Sequence, residues 1–106
     1  MDEPTGKTTI APSVLHTIVR LTTLATPGVC RLSSREALVS VPEDGVKVTL
    51  QDGKIEVEVY IIPGREENTR LVAQDVQKRV SRAITEMVGM EVARIDVHVT
   101  DVDIEA

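Results

Sequence analysis

The groups in this chain able to do chemistry are a single cysteine, two histidines and several carboxylates on alternating positions. Cys30 would serve as a nucleophile if His16 took its proton, yet nothing in the residue pattern brings the two together. A lone cysteine just after Pro27-Gly28 reads instead as a small buried hydrophobe. His16, set between apolar helix positions, reads as a boundary residue. Glu56, Glu58, Asp96 and His98 share one surface if the last strand lies beside the stretch 55–59, and carboxylates with an imidazole are ligands for a divalent cation. The plainer reading is solvated strand positions, kept charged for solubility and against edge-to-edge pairing; no outer shell to fix a metal is apparent. Lys78, Arg79 and Arg82 form a small basic patch that could meet phosphate, but interleaved acids mark a solvated helix face. Tyr60, beside Glu58, is the one aromatic residue and an anchor for a protein contact, or else a cover for the end of a hairpin. Gly-x-x-Gly, Gly-x-Ser-x-Gly, Walker-type and Cys-x-x-Cys motifs are absent. Gly64-Arg65-Glu66-Glu67 lacks a second glycine and carries two acids, so it is no phosphate cradle.

The elements that must position these groups are legible in the spacing. Val46-Lys47-Val48-Thr49-Leu50 and Ile55-Glu56-Val57-Glu58-Val59 alternate strictly and meet at Asp52-Gly53. A two-residue Asp-Gly loop favours a type I′ turn, which sets the register of the hairpin. Gln51 then faces Lys54, followed outward by Leu50 with Ile55, Thr49 with Glu56, Val48 with Val57, Lys47 with Glu58 and Val46 with Val59. Apolar residues fall on one face and charged ones on the other, so helices are needed on the dry side only.

Lys7-Thr8-Thr9-Ile10 is a short β-prone run, followed by a helix over residues 12–25 that opens on Pro12 and carries Val14, Leu15, Ile18, Val19, Thr22 and Ala25 at helical spacing. Thr26-Pro27-Gly28 stops it, and Val29-Cys30-Arg31-Leu32 resumes as an extended segment. Residues 33–44 read as a connection, with a short edge strand over 37–41. A long helix over 67–88 buries Leu71, Val72, Val76, Val80, Ile84, Met87 and Val88, and ends at Gly89 in the left-handed C′ position. Its other face pairs Glu66 with Arg70, Asp75 with Arg79 and Arg82 with Glu86. The last strand, 91–100, points Ile95, Val97 and Val99 inward and Arg94, Asp96, His98 and Thr100 outward, with a bulge or strand end near Thr100. The expected fold is a small α+β two-layer domain, two helices packed on one face of a mainly antiparallel sheet, in the order β-α-β-β-β-α-β. Residues 1–6 are expected to form a disordered tail and 7–104 a single domain.

Composition narrows the function classes. At 106 residues the chain can bury one core, 42% hydrophobic and 27% charged. With Tyr60 alone and no Phe or Trp, it lacks the flat rings that base-stacking platforms and aromatic cages require. A net charge of −5 opposes nucleic acid and anionic membrane surfaces as partners. One cysteine excludes an internal disulfide and suits a reducing compartment. Met1-Asp2-Glu3-Pro4-Thr5-Gly6 is acidic and polar and reads as no signal peptide. No apolar run approaches the roughly 20 residues of a spanning helix. These features give a cytoplasmic protein without direct membrane insertion.

The order and wording of the pieces resemble the bacterial alkaline shock protein family, a small general-stress domain. The resemblance rests on Gly6-Lys7-Thr8-Thr9-Ile10, the run 14–24 ending at Gly28-Val29, Gly45-Val46-Lys47-Val48, and the run 55–60. It continues through Val72-Ala73, Val76-Gln77 and Val80, then Met87-Val88-Gly89-Met90-Glu91-Val92 and Ile95-Asp96-Val97-His98-Val99. Two departures stand out: Ala11-Pro12 replaces the usual capping Ser or Thr, and Pro63-Gly64-Arg65-Glu66-Glu67 replaces a Tyr-Gly connection. The resemblance implies a cytoplasmic protein without catalysis or cofactor. Some members are held at the inner membrane face by a membrane-anchored partner and serve the envelope-stress response, and short members are associated with lipid metabolism. The expected function is a self-associating interaction scaffold meeting protein partners through Tyr60, Glu58, Glu56 and His98. A metal- or small-ligand-binding module, or a regulator linked to lipid metabolism, is the rival.

Overall fold

The structure, a computed structural model, describes residues 10–33 and 44–100. Its elements are α1 (Pro12–Ala25), β1 (Val29–Leu32), β2 (Val46–Gln51), β3 (Lys54–Pro63), α2 (Thr69–Met87) and β4 (Glu91–Val99). Asp52 and Gly53 both take positive φ, 54° and 75°, as a type I′ turn demands. The hairpin follows in the expected register throughout, from Gln51↔Lys54 to Val46↔Val59.

β3 is the spine of the sheet. β2 pairs antiparallel with its first part and β1 with its last, so the two lie end to end along one edge. Tyr60 bridges the junction: its carbonyl accepts from Ser33 N at 2.8 Å and its N–H donates to Gly45 O at 2.8 Å. β4 takes the other edge, parallel to β3, and α2 is the crossover that a parallel neighbour requires. The fold is α+β, two helices on one face of a mainly antiparallel four-stranded sheet. The expected opening strand leaves Ile10 outside any strand, and its other residues, like 1–6 and the edge strand over 37–41, lie outside the described residues.

One aliphatic core joins the layers. Ile55, Val57, Val59 and Ile61 of β3 are fully buried against Leu15 and Val19 of α1 and Val72, Val76, Val80 and Ile84 of α2. Each such side chain contributes about 1.5–3 kcal/mol. Several residues expected inward are instead exposed: Val14 (46%), Leu50 (51%), Leu71 (60%), Met87 (71%) and Val99 (42%), with Ala25 beside them. Helical or strand periodicity assigns a residue to a face, but burial also needs an element lying over it. On α2 only the four residues at strict i, i+4 spacing reach β3 and α1.

Helix ends are set locally. α1 lacks a side-chain cap and starts on Pro12 after Ala11. α2 starts later than expected, because the Asn68 side chain accepts from Leu71 N at 3.1 Å and so defines the N-cap. Gly89, φ 76°, follows the C-cap and donates to Ile84 O and Thr85 O, the expected left-handed stop.

Candidate functional site

The wet face of the sheet is built by register. Along β4, Val92 and Ile95 both face inward, yet they are three apart, which strict alternation forbids. The conflict is resolved by a bulge at Ala93: Val92 pairs with Ile55, and Arg94 then pairs with Glu56. From there Glu58↔Asp96 and Tyr60↔His98 follow as neighbours across the parallel ladder. Without that extra residue, Arg94, Asp96 and His98 would have turned into the core. The strand end expected near Thr100 is there, β4 stopping at Val99 with Thr100 N donating to Ile61 O at 3.1 Å, and the bulge at Ala93 is an addition to it.

Three of the sequence-predicted residues meet on this face. The Tyr60 and His98 rings stack with centroids 4.4 Å apart and planes 13° from parallel. The Tyr60 hydroxyl donates to Glu58 Oε1 at 3.0 Å, and His98 Nε2 lies 3.8 Å from the same oxygen. Burial pushes the Tyr60 phenol above its ordinary 10.0, and the hydrogen bond to Glu58 and the charges of Glu58 and Asp96 push the same way. Glu56 sits one step along, beside Arg94 and opposite Thr49. Arg94 Nε donates to Asp96 Oδ2 at 2.8 Å, and Lys47 is the register partner of Glu58. The result is a platform of mixed charge, with Glu58 and Asp96 side by side as like charges and a shallow hollow of ≈ 80 Å³ between Lys47, Glu56 and Arg94. That is small beside the roughly 300–1,000 Å³ of sites that enclose a ligand.

The Tyr60–His98 stack was not anticipated. The two are 38 positions apart, and only a parallel β3–β4 pairing aligns them. That pairing was the available signal, since a strand–helix–strand order places consecutive strands side by side in parallel.

The other candidates scatter. Cys30 is exposed rather than buried, because the register shift between Val29 and Arg31 makes it the extra residue of a bulge. His16 directs Nε2 to Asp44 Oδ2 at 2.8 Å, while Asp44 Oδ1 accepts from Val46 N at 3.2 Å, so the pair fastens α1 to the start of β2. Among the described residues no three of His, Cys, Asp and Glu gather where a metal ion could be held. Arg79 and Arg82 are paired with Asp75 and Glu86 at 3.1 and 3.0 Å. With Lys78 they rim an open groove of ≈ 610 Å³ between α1 and α2 that the spacing did not reveal.

With this geometry in hand, comparison with known proteins settles the lineage. The model of the alkaline shock protein 23 family, described as having a cell envelope-related function, matches residues 1–104. The chain belongs to this family. A relative within reach of sequence comparison, "Uncharacterized protein YqhY" of Bacillus subtilis (strain 168), is 25% identical over 111 residues, spanning 98% of this chain and 82% of the relative. Among solved structures, the copper form of MamM CTD is similar with a TM-score of 0.66 and 12% identity, covering 90% of each chain. A zinc form of a MamM CTD variant gives 0.63 and 13%, covering 86% of each. At such identities the likeness is one of fold. Among the described residues, no helix of this family member is long and apolar enough to cross a membrane.

Proposed function

We propose that this chain is a non-catalytic interaction domain of the cell-envelope or alkaline stress response, self-associating and cytoplasmic, recruited to its place of action by a protein partner at the membrane. It meets other proteins through the sheet platform, with Tyr60 and His98 as the anchor and Glu58 and Glu56 as the polar rim. One observation carries this reading: the only tyrosine of a chain without Phe or Trp is held on the wet face by a stacked imidazole and a carboxylate. An amphipathic ring fixed in advance on an open surface loses little entropy when a partner covers it, which is what an interface anchor needs. Sedimentation velocity over a range of concentrations tests self-association. The wild-type chain is expected to shift to larger species with concentration, and Tyr60→Ala with His98→Ala to remain small. A wild-type chain that stays monomeric at every accessible concentration defeats the self-association.

The fold likeness to MamM CTD, solved in copper and zinc forms, favours a second reading as a metal-binding module. Glu58, Asp96 and His98 supply the donors of the platform, and an ion would have to draw them together. Thermal unfolding with and without copper or zinc decides it: a midpoint unmoved by either ion retires this reading.

A further inference from the structure

The groove between the helices has the composition of a docking surface, and it lies on the opposite layer from the sheet platform. Its apolar lining is Leu21, Ala25, Ala83 and Met87; the two alanines leave space that larger side chains would fill, and Leu21 and Met87 stand 54% and 71% exposed. Two such leucine- and methionine-sized side chains beside that space are an unfilled packing site. The run from Asp75 to Met87 gives it a length of about 18 Å, three turns of helix.

Charge selects the occupant. Lys78, Arg79 and Arg82 face two acids, Asp75 and Glu86, so the rim is net positive in a chain whose net charge is −5. Lys78 has no ion-pair partner among the described residues. Both arginines are engaged through Nε, which holds the guanidinium in place with its terminal nitrogens left to donate outward. α1 adds no acid at all. A second copy would bring the same net-positive rim to the groove, so its charges offer less to Lys78 than those of an acidic partner.

We propose that the α1–α2 groove is a docking surface for an acidic amphipathic helix of a partner protein. The helix lays its apolar stripe on Leu21, Ala83 and Met87, in the helix-in-groove mode, and sets carboxylates against Lys78, Arg79 and Arg82.

The test uses the full chain and two fluorescein-labelled helical peptides of about 14 residues, enough to span the groove. Both carry a leucine stripe at i, i+3, i+4 and i+7; one is flanked by Glu, the other by Lys. Fluorescence anisotropy should show the Glu peptide binding at least about tenfold tighter than the Lys peptide, against the overall charge of the chain. Leu21→Ser and Met87→Ser, both at exposed positions, should each weaken it several-fold, and Lys78→Glu with Arg82→Glu should invert the preference. Tyr60→Ala should leave it unchanged, which separates this surface from the sheet platform. The proposal is overturned if the two peptides bind alike or neither binds, or if the groove variants bind as wild type does. It is equally overturned if Met87→Ser dissolves a self-associated species, making the occupant a second copy. Capture of the chain by phosphatidylglycerol vesicles in place of the peptide would make it a lipid surface and sink the proposal as well.

Discussion

Replacing Tyr60 and His98 by alanine, singly and together, isolates the stack on the sheet platform. The rings are register partners on parallel strands, 4.4 Å apart and 13° from parallel. Stacked aromatic pairs contribute about 0.5–1.5 kcal/mol beyond the area they bury. The His98 side chain keeps 46% of its surface in water, which sets the expectation in the lower half of that range, about 0.5–1 kcal/mol. The Tyr60 hydroxyl adds a separate contact with Glu58, whose side chain is 38% exposed; a pair so screened is worth about 0.5 kcal/mol. Urea unfolding followed by far-ultraviolet circular dichroism gives the four stabilities of the cycle, and the strand-propensity costs of each alanine cancel in the coupling term. Repeating the cycle with Tyr60→Phe as the parent should return the same coupling, because the ring remains and only the hydroxyl has gone. A coupling below about 0.3 kcal/mol, the scatter of independent sites, would mean that the rings are not stacked in solution. The platform would then have no preformed anchor.

Because Tyr60 is the only tyrosine and there is no tryptophan, phenolate absorbance reports this one group. Its folded-state pKa is raised above 10.0 by burial and by Glu58, so its stabilisation is whole below the unfolded value and is lost as pH rises through the folded one. The folded chain should ionise at higher pH than the urea-unfolded chain, with Glu58→Gln narrowing the gap; coincident curves would contradict the burial and the Glu58 contact. Thr23 is fully buried and its hydroxyl has no hydrogen-bond partner among the described residues. Thr23→Val should therefore raise stability by about 1 kcal/mol, and a lowered unfolding midpoint would show that the hydroxyl is satisfied after all. Gly28 has φ 94°, and a Cβ there would lie 2.6 Å from Val72 Cγ2. Gly28→Ala should cost about 2–4 kcal/mol, and adding Val72→Ala should recover part of that loss, an outcome that strain in the turn alone would not produce.

How much was legible in advance follows from the range of each signal. The hairpin register needed only the Asp52-Gly53 dipeptide and the alternation around it, and all six pairs agree. α1 was bounded by Pro12 at one end and Thr26-Pro27 at the other, both local devices. The partners of β4 could not be read this way, because a crossover helix separates it from β3 and local spacing carries no information about which edge it joins. The same gap hid the Tyr60–His98 stack and the His16–Asp44 pair, which are long-range contacts between residues ordinary in their own surroundings. Even so, the bulge left a trace. Val92 and Ile95, three apart and both apolar, break the period at the place where β4 resets its phase.

That reset matters for more than one strand. A two-layer fold has a single dry interface and two outer faces, and here the two outer faces are unlike. The sheet side carries a platform of mixed, nearly balanced charge with the stacked Tyr60 and His98 rings. The helix side carries a groove with an apolar lining and a positive rim. The core of β3 and α2 side chains lies between them, so a partner on one face does not obstruct the other. A single chain could therefore hold a neighbour on each side at once, one through the sheet and a chemically different one through the helices. Substitutions on Tyr60 and on Met87 should then act additively when both partners are present, as sites without shared contacts do. Strong coupling between them would require the core itself to shift on binding, and the close packing of Val57, Val59, Val76 and Val80 resists that.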